Sequence, residues 1–280
     1  MKSVQLILMI GLTKESGHWN HDFIAYIKKL YQTDDLVMID IPGTGHYRNE
    51  KTPFRIPNII RKTRERYFPQ LNMEKERMLI SISLGSMLAT EWAGQYPDDF
   101  QALVIINSSY RKFNRLIHRV QPKAMVSFVK IFLTKNPIRK EENILNLCSN
   151  NSSVREHVLP DWLAVNRVRP VMKRNMLRQT IAGAIYKPRR KPKTRLFIIA
   201  SRHDRLANYR CSIEINRRWG GDLLIIRDPA IGHGIHIDAP ELLAEVIHTW
   251  YINPKTSASP QTLTIDTRMT DKIFSPHPVG

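Results

Sequence analysis

Six short segments of the 280-residue chain are almost wholly apolar: Val4–Ile10, Leu36–Ile41, Met78–Ile82, Ala102–Asn107, Leu196–Ala200 and Leu223–Ile226. A strand with one wet face alternates apolar and polar side chains. Runs without alternation, rich in Ile, Leu, Val and Met, belong to strands covered on both faces. Helical stretches lie between them: Trp19–Tyr31 places Phe23, Ile24, Ile27 and Leu30 on one stripe, and Ser86–Tyr96 does the same with Leu88, Ala89, Trp92 and Ala93. Strand, helix, strand in this rhythm predicts an α/β fold, a mostly parallel sheet of about six strands with helices on both faces and right-handed crossovers.

Residues 111–193 break the rhythm. They show little strand pattern, and the clearest helix follows Pro170, with Met172, Met176, Leu177, Ile181, Ala184 and Ile185 opposite Lys173, Arg174 and Arg178. The same span holds 20 of the 43 Lys and Arg residues but only 4 of the 25 acids, a net of +16, while the rest of the chain is near neutral at +2. Such asymmetry bears on partners and on steering of anions rather than on fold. The chain therefore divides into a core of residues 1–110 and 194–252, a basic helical cap at 111–193, and a Pro-, Ser- and Thr-rich stretch at 253–280 that reads as a disordered tail in which Leu263, Ile265, Ile273 and Phe274 allow loose docking.

Composition narrows the function classes. Two cysteines, Cys148 and Cys211, are too few for a disulfide framework or a zinc ribbon, so a reduced, cytoplasmic setting is expected. No apolar run reaches the length of a membrane span. The run at Val4–Leu12 lacks a small-x-small cleavage site and leads straight into Lys14 and Glu15, so it reads as a buried strand rather than a leader. No phosphate-cradling glycine loop follows a strand, and the pairs His18/His21 and His233/His236 lack the carboxylates of a metal site, so neither metal nor cofactor is expected.

One string does carry chemistry. Ser81-Ile82-Ser83-Leu84-Gly85-Ser86 lies where the strand Met78–Ile82 turns into a helix. A nucleophilic serine needs its hydroxyl held above the sheet on a tight turn, with small residues two before and two after it. Such a string arises by chance about 0.3 times in a chain of this length, so its position between strand and helix is what gives it weight. A general base belongs on a late loop. His233, between Gly232 and Gly234, stands there, with His236 as the competing candidate. Asp204 is the one carboxylate in the loop after Leu196–Ala200, placed to orient the histidine. The order Ser83, Asp204, His233 is that of an α/β-hydrolase triad. By position alone, the backbone N–H groups of Leu12 and Leu84 are the candidate oxyanion donors.

The segments IGLTKESGHW (10–19), IDIPGTGH (39–46), SISLGSMLATEWAGQYPDDFQALVIINSS (81–109), ASRHDRL (200–206) and IGHGIHIDAPELL (231–243) together resemble the α/β-hydrolase superfamily over residues 4 to about 252. The likeness is to bacterial single-domain serine hydrolases with a helical cap between the fourth and fifth strands. It implies Ser83 as nucleophile, Asp204 as acid, His233 as base and the segment around 111–190 as a lid over the substrate. Two positions depart from the pattern: Ile10 replaces the usual histidine before the oxyanion glycine, and Ser81 the usual glycine before the nucleophile. In such proteins Asp40 is structural, and Trp19 belongs to the core.

These residues lead to a serine hydrolase cleaving an ester or thioester of a small to medium acyl substrate through an acyl-enzyme. The alternatives are a C–C hydrolase or lyase acting on a carboxylated substrate, and a catalytically silent binding protein. The basic cap suits an acidic carrier protein or an anionic lipid surface, with Arg169 and Arg178 as candidate substrate contacts. No nucleic-acid motif accompanies the charge.

Overall fold

The structure is a computed structural model that describes residues 3–253 and 262–265. Its strands are β1 (Val4–Met9), β2 (Leu36–Ile39), β3 (Glu76–Ile82), β4 (Ala102–Ile106), β5 (Arg195–Ser201), β6 (Asp222–Ile226) and β7 (Thr262–Ile265). Among the described residues they form one sheet, in the order β2-β1-β3-β4-β5-β6-β7 with every neighbouring pair parallel. Within the stretch expected to be a disordered tail the described residues hold a seventh strand; residues 254–261 and 266–280, with Ile273 and Phe274, lie outside the described residues. Thr262–Ile265 pairs with Leu223–Ile226, and Ile265 is buried against the core. The Pro- and Ser-rich composition around it hid a four-residue run with three β-branched residues, Thr262, Thr264 and Ile265, that forms the edge strand beside β6.

The helices are α1 (His21–Tyr31), α2 (Ile56–Tyr67), α3 (Leu84–Gln95), α4 (Leu116–Arg119), α5 (Pro122–Leu133), α6 (Pro137–Cys148), α7 (Ser152–Val168), α8 (Lys173–Ile185), α9 (Arg210–Trp219), α10 (Ile235–Asp238) and α11 (Pro240–Ile252). Alternate residues of each central strand serve opposite cores. Ile7, Met9, Leu79, Leu103, Ile105 and Ile198 pack under α2, α3 and α9. Leu6, Leu8, Met78, Ile80, Val104 and Ile199 pack under α1 and α11. Both faces are dry, which is why the strands show no polar alternation.

Five helices, α4 to α8, form a helical region between β4 and β5 with small apolar clusters of its own, one around Ala124, Ile131, Leu147 and Met176 and another around Leu145, Val158 and Trp162. Helix α8 begins at Lys173, so Pro170 lies outside it rather than in its first turn. Arg64 and the Trp92 indole both bond Asp99, at 2.6 and 2.7 Å, fastening α2 to the end of α3.

The sheet order decides where a site can form. From β1 the chain runs to β2 on one side and then to β3 on the other, so connections depart in opposite directions from the carboxyl ends of β1 and β3. A crevice opens at such a switch point, and ligands of open α/β sheets bind there. Registry sets its walls: Met9 is paired with Ser81, so Gly11 and Ser83, two residues on in each strand, come to lie side by side.

Candidate active site

Ser83 follows β3 directly and stands at φ +58°, ψ −121°, in a region that side chains rarely adopt. Its N–H donates to Ile106 O at 2.9 Å and its carbonyl accepts from the Ser108 hydroxyl at 3.1 Å, so the turn is pinned at both ends. Thr13 (φ +59°) and Asn107 (φ +47°) follow β1 and β4 in the same strained way. Three left-handed residues, each worth about 1–3 kcal/mol of strain, ring one spot. The flanking serines explain the turn's closeness: Ser81 Oγ donates to Val104 O at 2.7 Å, and Ser86 Oγ to Ser81 O at 2.8 Å. A Cβ on Gly85 would lie 2.3 Å from Met9 O, so α3 approaches the end of β1 as only glycine allows.

His233 Nδ1 lies 2.6 Å from Asp204 Oδ2. The other carboxylate oxygen accepts the N–H groups of Leu206 and Ala207 at 2.7 and 3.0 Å, which fixes the acid's orientation. With Nδ1–H directed at Asp204, Nε2 is the acceptor nitrogen of the neutral ring. His233 and Ser83 line the same cavity, although no direct hydrogen bond joins them among the described residues.

The loop bearing His233 is held from several sides. Asn107 Nδ2 donates to His233 O at 2.8 Å while its Oδ1 accepts from Ser201 N–H at 2.9 Å, and Ser201 Oγ donates to Ile231 O at 2.6 Å. Asp238 accepts from Gly232 N–H and from the Ser149 hydroxyl, tying the loop to the end of α6; burial raises its pKa. The glycines beside His233 serve closeness rather than backbone freedom. Neither has positive φ, and a Cβ on Gly232 would lie 2.7 Å from Cys148 O. His236, the competing base, is buried and packs edge-on against Trp19 at 5.1 Å between ring centres. Asp40 binds backbone and side-chain groups of the loops at Ser16 and His46.

Two cavities meet at Leu12, Ser83, Phe128 and Leu206. The smaller, about 80 Å³, runs toward His233, His236 and Trp162. Its one cation, Lys14, is paired with Glu141 at 2.6 Å and capped by the Trp162 ring at 3.6 Å. The larger, about 300 Å³, is bounded by α4, α5 and α8, together with Leu84 and Met87. The N–H groups of Leu12 and Leu84 have no acceptor among the described residues, and Leu84 begins a 12-residue helix whose positive end faces Ser83. Thr13 N–H is taken by Gln179 of α8, at 2.9 Å.

Arg169 and Arg178 lie elsewhere and line neither cavity. Arg169 pairs with the buried Glu15 at 3.0 Å, and Arg178 stacks over Phe54 and donates to Thr52 O. Both secure the helical region to the core. Their position at or near an amphipathic helix suggested otherwise, but Arg169 closes α7, and Arg178 leaves α8 toward the loop at Thr52 and Phe54. The residues that do line the larger cavity, Arg119 and Gln179, sit in a four-residue helix and on a helix face without a sequence signature.

A family profile described as serine aminopeptidase, S33 matches residues 57–240, about two thirds of the chain. The chain belongs to this hydrolase family. Solved structures agree in fold. The peroxisomal α/β-hydrolase of Saccharomyces cerevisiae is 17% identical, with a TM-score of 0.67 over 92% of this chain and 79% of that one. A meta-cleavage product hydrolase from Pseudomonas fluorescens is 13% identical, with a TM-score of 0.68 over 89% and 91%. A thermophilic esterase from Thermogutta terrifontis is 15% identical, with a TM-score of 0.63 over 90% of each chain. No curated protein matches the sequence. The chain is thus an α/β-hydrolase, and none of its described helices is long and apolar enough to cross a membrane.

The hydrolase carries an acid-sensitive pair of histidines behind the site. Burial holds His236 down at about pKa 3, helped by the neighbouring His233 and Lys14; burial and Lys14 likewise hold His18 well below its usual value. Both are neutral when folded and take up protons near pH 6.5 when unfolded. The unfolded state therefore binds more protons below pH 6.5, and stability falls as pH falls through that window, by about 1.4 kcal/mol per pH unit for each histidine. Asp238, raised by burial, offsets part of this loss because it binds its proton earlier in the folded state. Urea midpoints at pH 7 and pH 5 are expected to show a clear drop at pH 5, reduced in His236→Phe. Equal midpoints in the wild-type protein contradict the neutral-histidine account.

Proposed function

We propose that the protein is a serine hydrolase of carboxylic esters or thioesters, with Ser83 as nucleophile, His233 as general base, Asp204 as its orienting acid, and α4–α8 as a cap over the substrate. The observation that carries this reading is the His233–Asp204 contact at 2.6 Å on the wall of the cavity that holds the strained Ser83. His233 Nε2 removes the hydroxyl proton as Ser83 Oγ attacks the acyl carbon. The N–H groups of Leu12 and Leu84 and the α3 N-terminus stabilise the oxyanion. The imidazolium, steadied by Asp204, then passes its proton to the departing alcohol or thiol. Water, deprotonated by the same ring, releases the acid.

The proton's route assigns the cavities. The leaving group must reach His233, so it occupies the smaller cavity, and the acyl group takes the larger one. The basic cap, at +16, draws anionic substrates or an anionic carrier toward the mouth. A fluorophosphonate probe tests the reading: covalent label is expected on Ser83, located by peptide mass. Failure to label, or label on another residue, refutes the assignment.

A further inference from the structure

The larger cavity has a property that a plain acyl chain does not explain. Among the described residues its lining includes one charged side chain, Arg119, and no acid. Arg119 is only 6% exposed. Its two Nη atoms donate to Gly183 O and Ala184 O at 2.7 Å, while Nε has no partner. No carboxylate among the described residues pairs with it, and burial lowers its pKa. The two carbonyls belong to the last turn of α8 and offer about half a negative charge, so much of the guanidinium's charge stays uncompensated in a desolvated place.

A second orphan donor stands nearby. Gln179, fully buried, also lines the larger cavity, and its Oε1 accepts from Thr13 N–H. That bond fixes which way the amide faces, and Nε2 is left without an acceptor. Gln179 and Gly183 are four residues apart on α8, so the residue carrying the amide and the carbonyl holding the guanidinium belong to one helix face, with their Cα atoms about 6 Å apart along the axis. An unsatisfied buried donor is costly, and two beside an unpaired cation on one cavity wall share one remedy.

We propose that this wall binds a carboxylate carried by the acyl group, so that the substrate is a half-ester or half-thioester of a dicarboxylic acid. The carboxylate meets Arg119 through Nε–H and a free Nη–H, Gln179 Nε2 donates to the carboxylate or the chain beside it, and the scissile carbonyl sits at Leu12 and Leu84. This builds on the acyl-enzyme reading above and adds the chemistry of the acyl group.

The test compares, by release of the aryl alcohol, an aryl half-ester of glutaric acid with the aryl methyl diester of the same acid, whose distal carboxyl is methylated and so uncharged. The wild-type kcat/KM ratio is expected to favour the half-ester at least tenfold, at both 0.15 M and 0.5 M salt, because a buried pair is screened far less than steering by the cap. Arg119→Gln is expected to bring the ratio to about one or below, with Arg119→Lys between. A purely structural Arg119 lowers both rates together and leaves the ratio alone, which overturns the proposal, as does a wild-type ratio near one with the hydrolase reading intact. Calorimetry with free glutarate separates the two readings and also serves if the variants fail to fold. Glutarate binding by a protein that hydrolyses neither ester supports the carboxylate site and removes the hydrolase reading; no hydrolysis and no binding removes both.

Discussion

Ser83→Ala is expected to lower kcat for ester hydrolysis by about 10⁴-fold or more while leaving the unfolding midpoint close to that of the wild type. The two halves of this expectation have separate causes. In the mechanism proposed above no acyl-enzyme forms without the hydroxyl, and only the proposed oxyanion donors and binding remain to act on water. For folding the hydroxyl does little: both pinning bonds at Ser83 use backbone atoms, and among the described residues Oγ makes none. Ser83→Gly sharpens the contrast. It is equally inactive, yet it removes the penalty of a side chain at φ +58° and is expected to raise stability by about 1 kcal/mol. An inactive protein more stable than its parent shows strain kept for function. Matched urea titrations and initial rates decide the matter. A Ser83→Ala protein retaining more than a few per cent of wild-type turnover places the nucleophile elsewhere.

How much of this could be read along the chain follows from which interactions are local. The six continuous apolar strands were legible because both faces of each are covered, and burial on two faces leaves its mark in composition. The elbow at Ser81–Ser86 was legible because its constraint is steric and confined to a few neighbours. Chain order put Asp204 and His233 forward as partners, and the two side chains stand 2.6 Å apart. The cavity wall did not follow from anything local. Arg119 is one of 20 basic residues between 111 and 193, and only the packing of α4 against the end of α8 separates it from arginines in solvent. Gln179 gains its meaning from Thr13, 166 residues away. Asn107 is similar: its two amide bonds reach Ser201 and His233, contacts that arise only once β4, β5 and the late loop are assembled. Residues whose role lies in a single long-range hydrogen bond leave no period or motif.

The strained residues link the fold to the chemistry. Thr13, Ser83 and Asn107 follow three adjacent parallel strands, and each turns sharply where the sheet ends. Leu12 and Ser83 line both cavities, and Asn107 anchors the His233 loop beside them. The sheet supplies the rigidity that holds them, since β1, β3 and β4 are central and paired on both sides.

Gly85→Ala tests that coupling, and it is expected to destabilise the protein by about 3–5 kcal/mol, against the usual preference of helices for alanine. The added Cβ would lie 2.3 Å from Met9 O and 2.5 Å from Ile10 O. Both are backbone atoms at the end of β1, and that strand is held by pairing to β2 on one side and β3 on the other, so relief requires α3 to move out. Outward movement separates Leu84 N–H from Leu12 N–H, and the folded fraction is therefore expected to lose about 10²-fold in activity as well. Gly94→Ala in the same helix is the control. There the nearest atom to the new Cβ is Arg190 O at 3.4 Å, and a gain of up to about 1 kcal/mol is expected. Opposite signs for two identical substitutions in one helix isolate the close approach as the cause; a Gly85→Ala protein with the wild-type midpoint shows that α3 and β1 are not packed at the distance on which the oxyanion site depends.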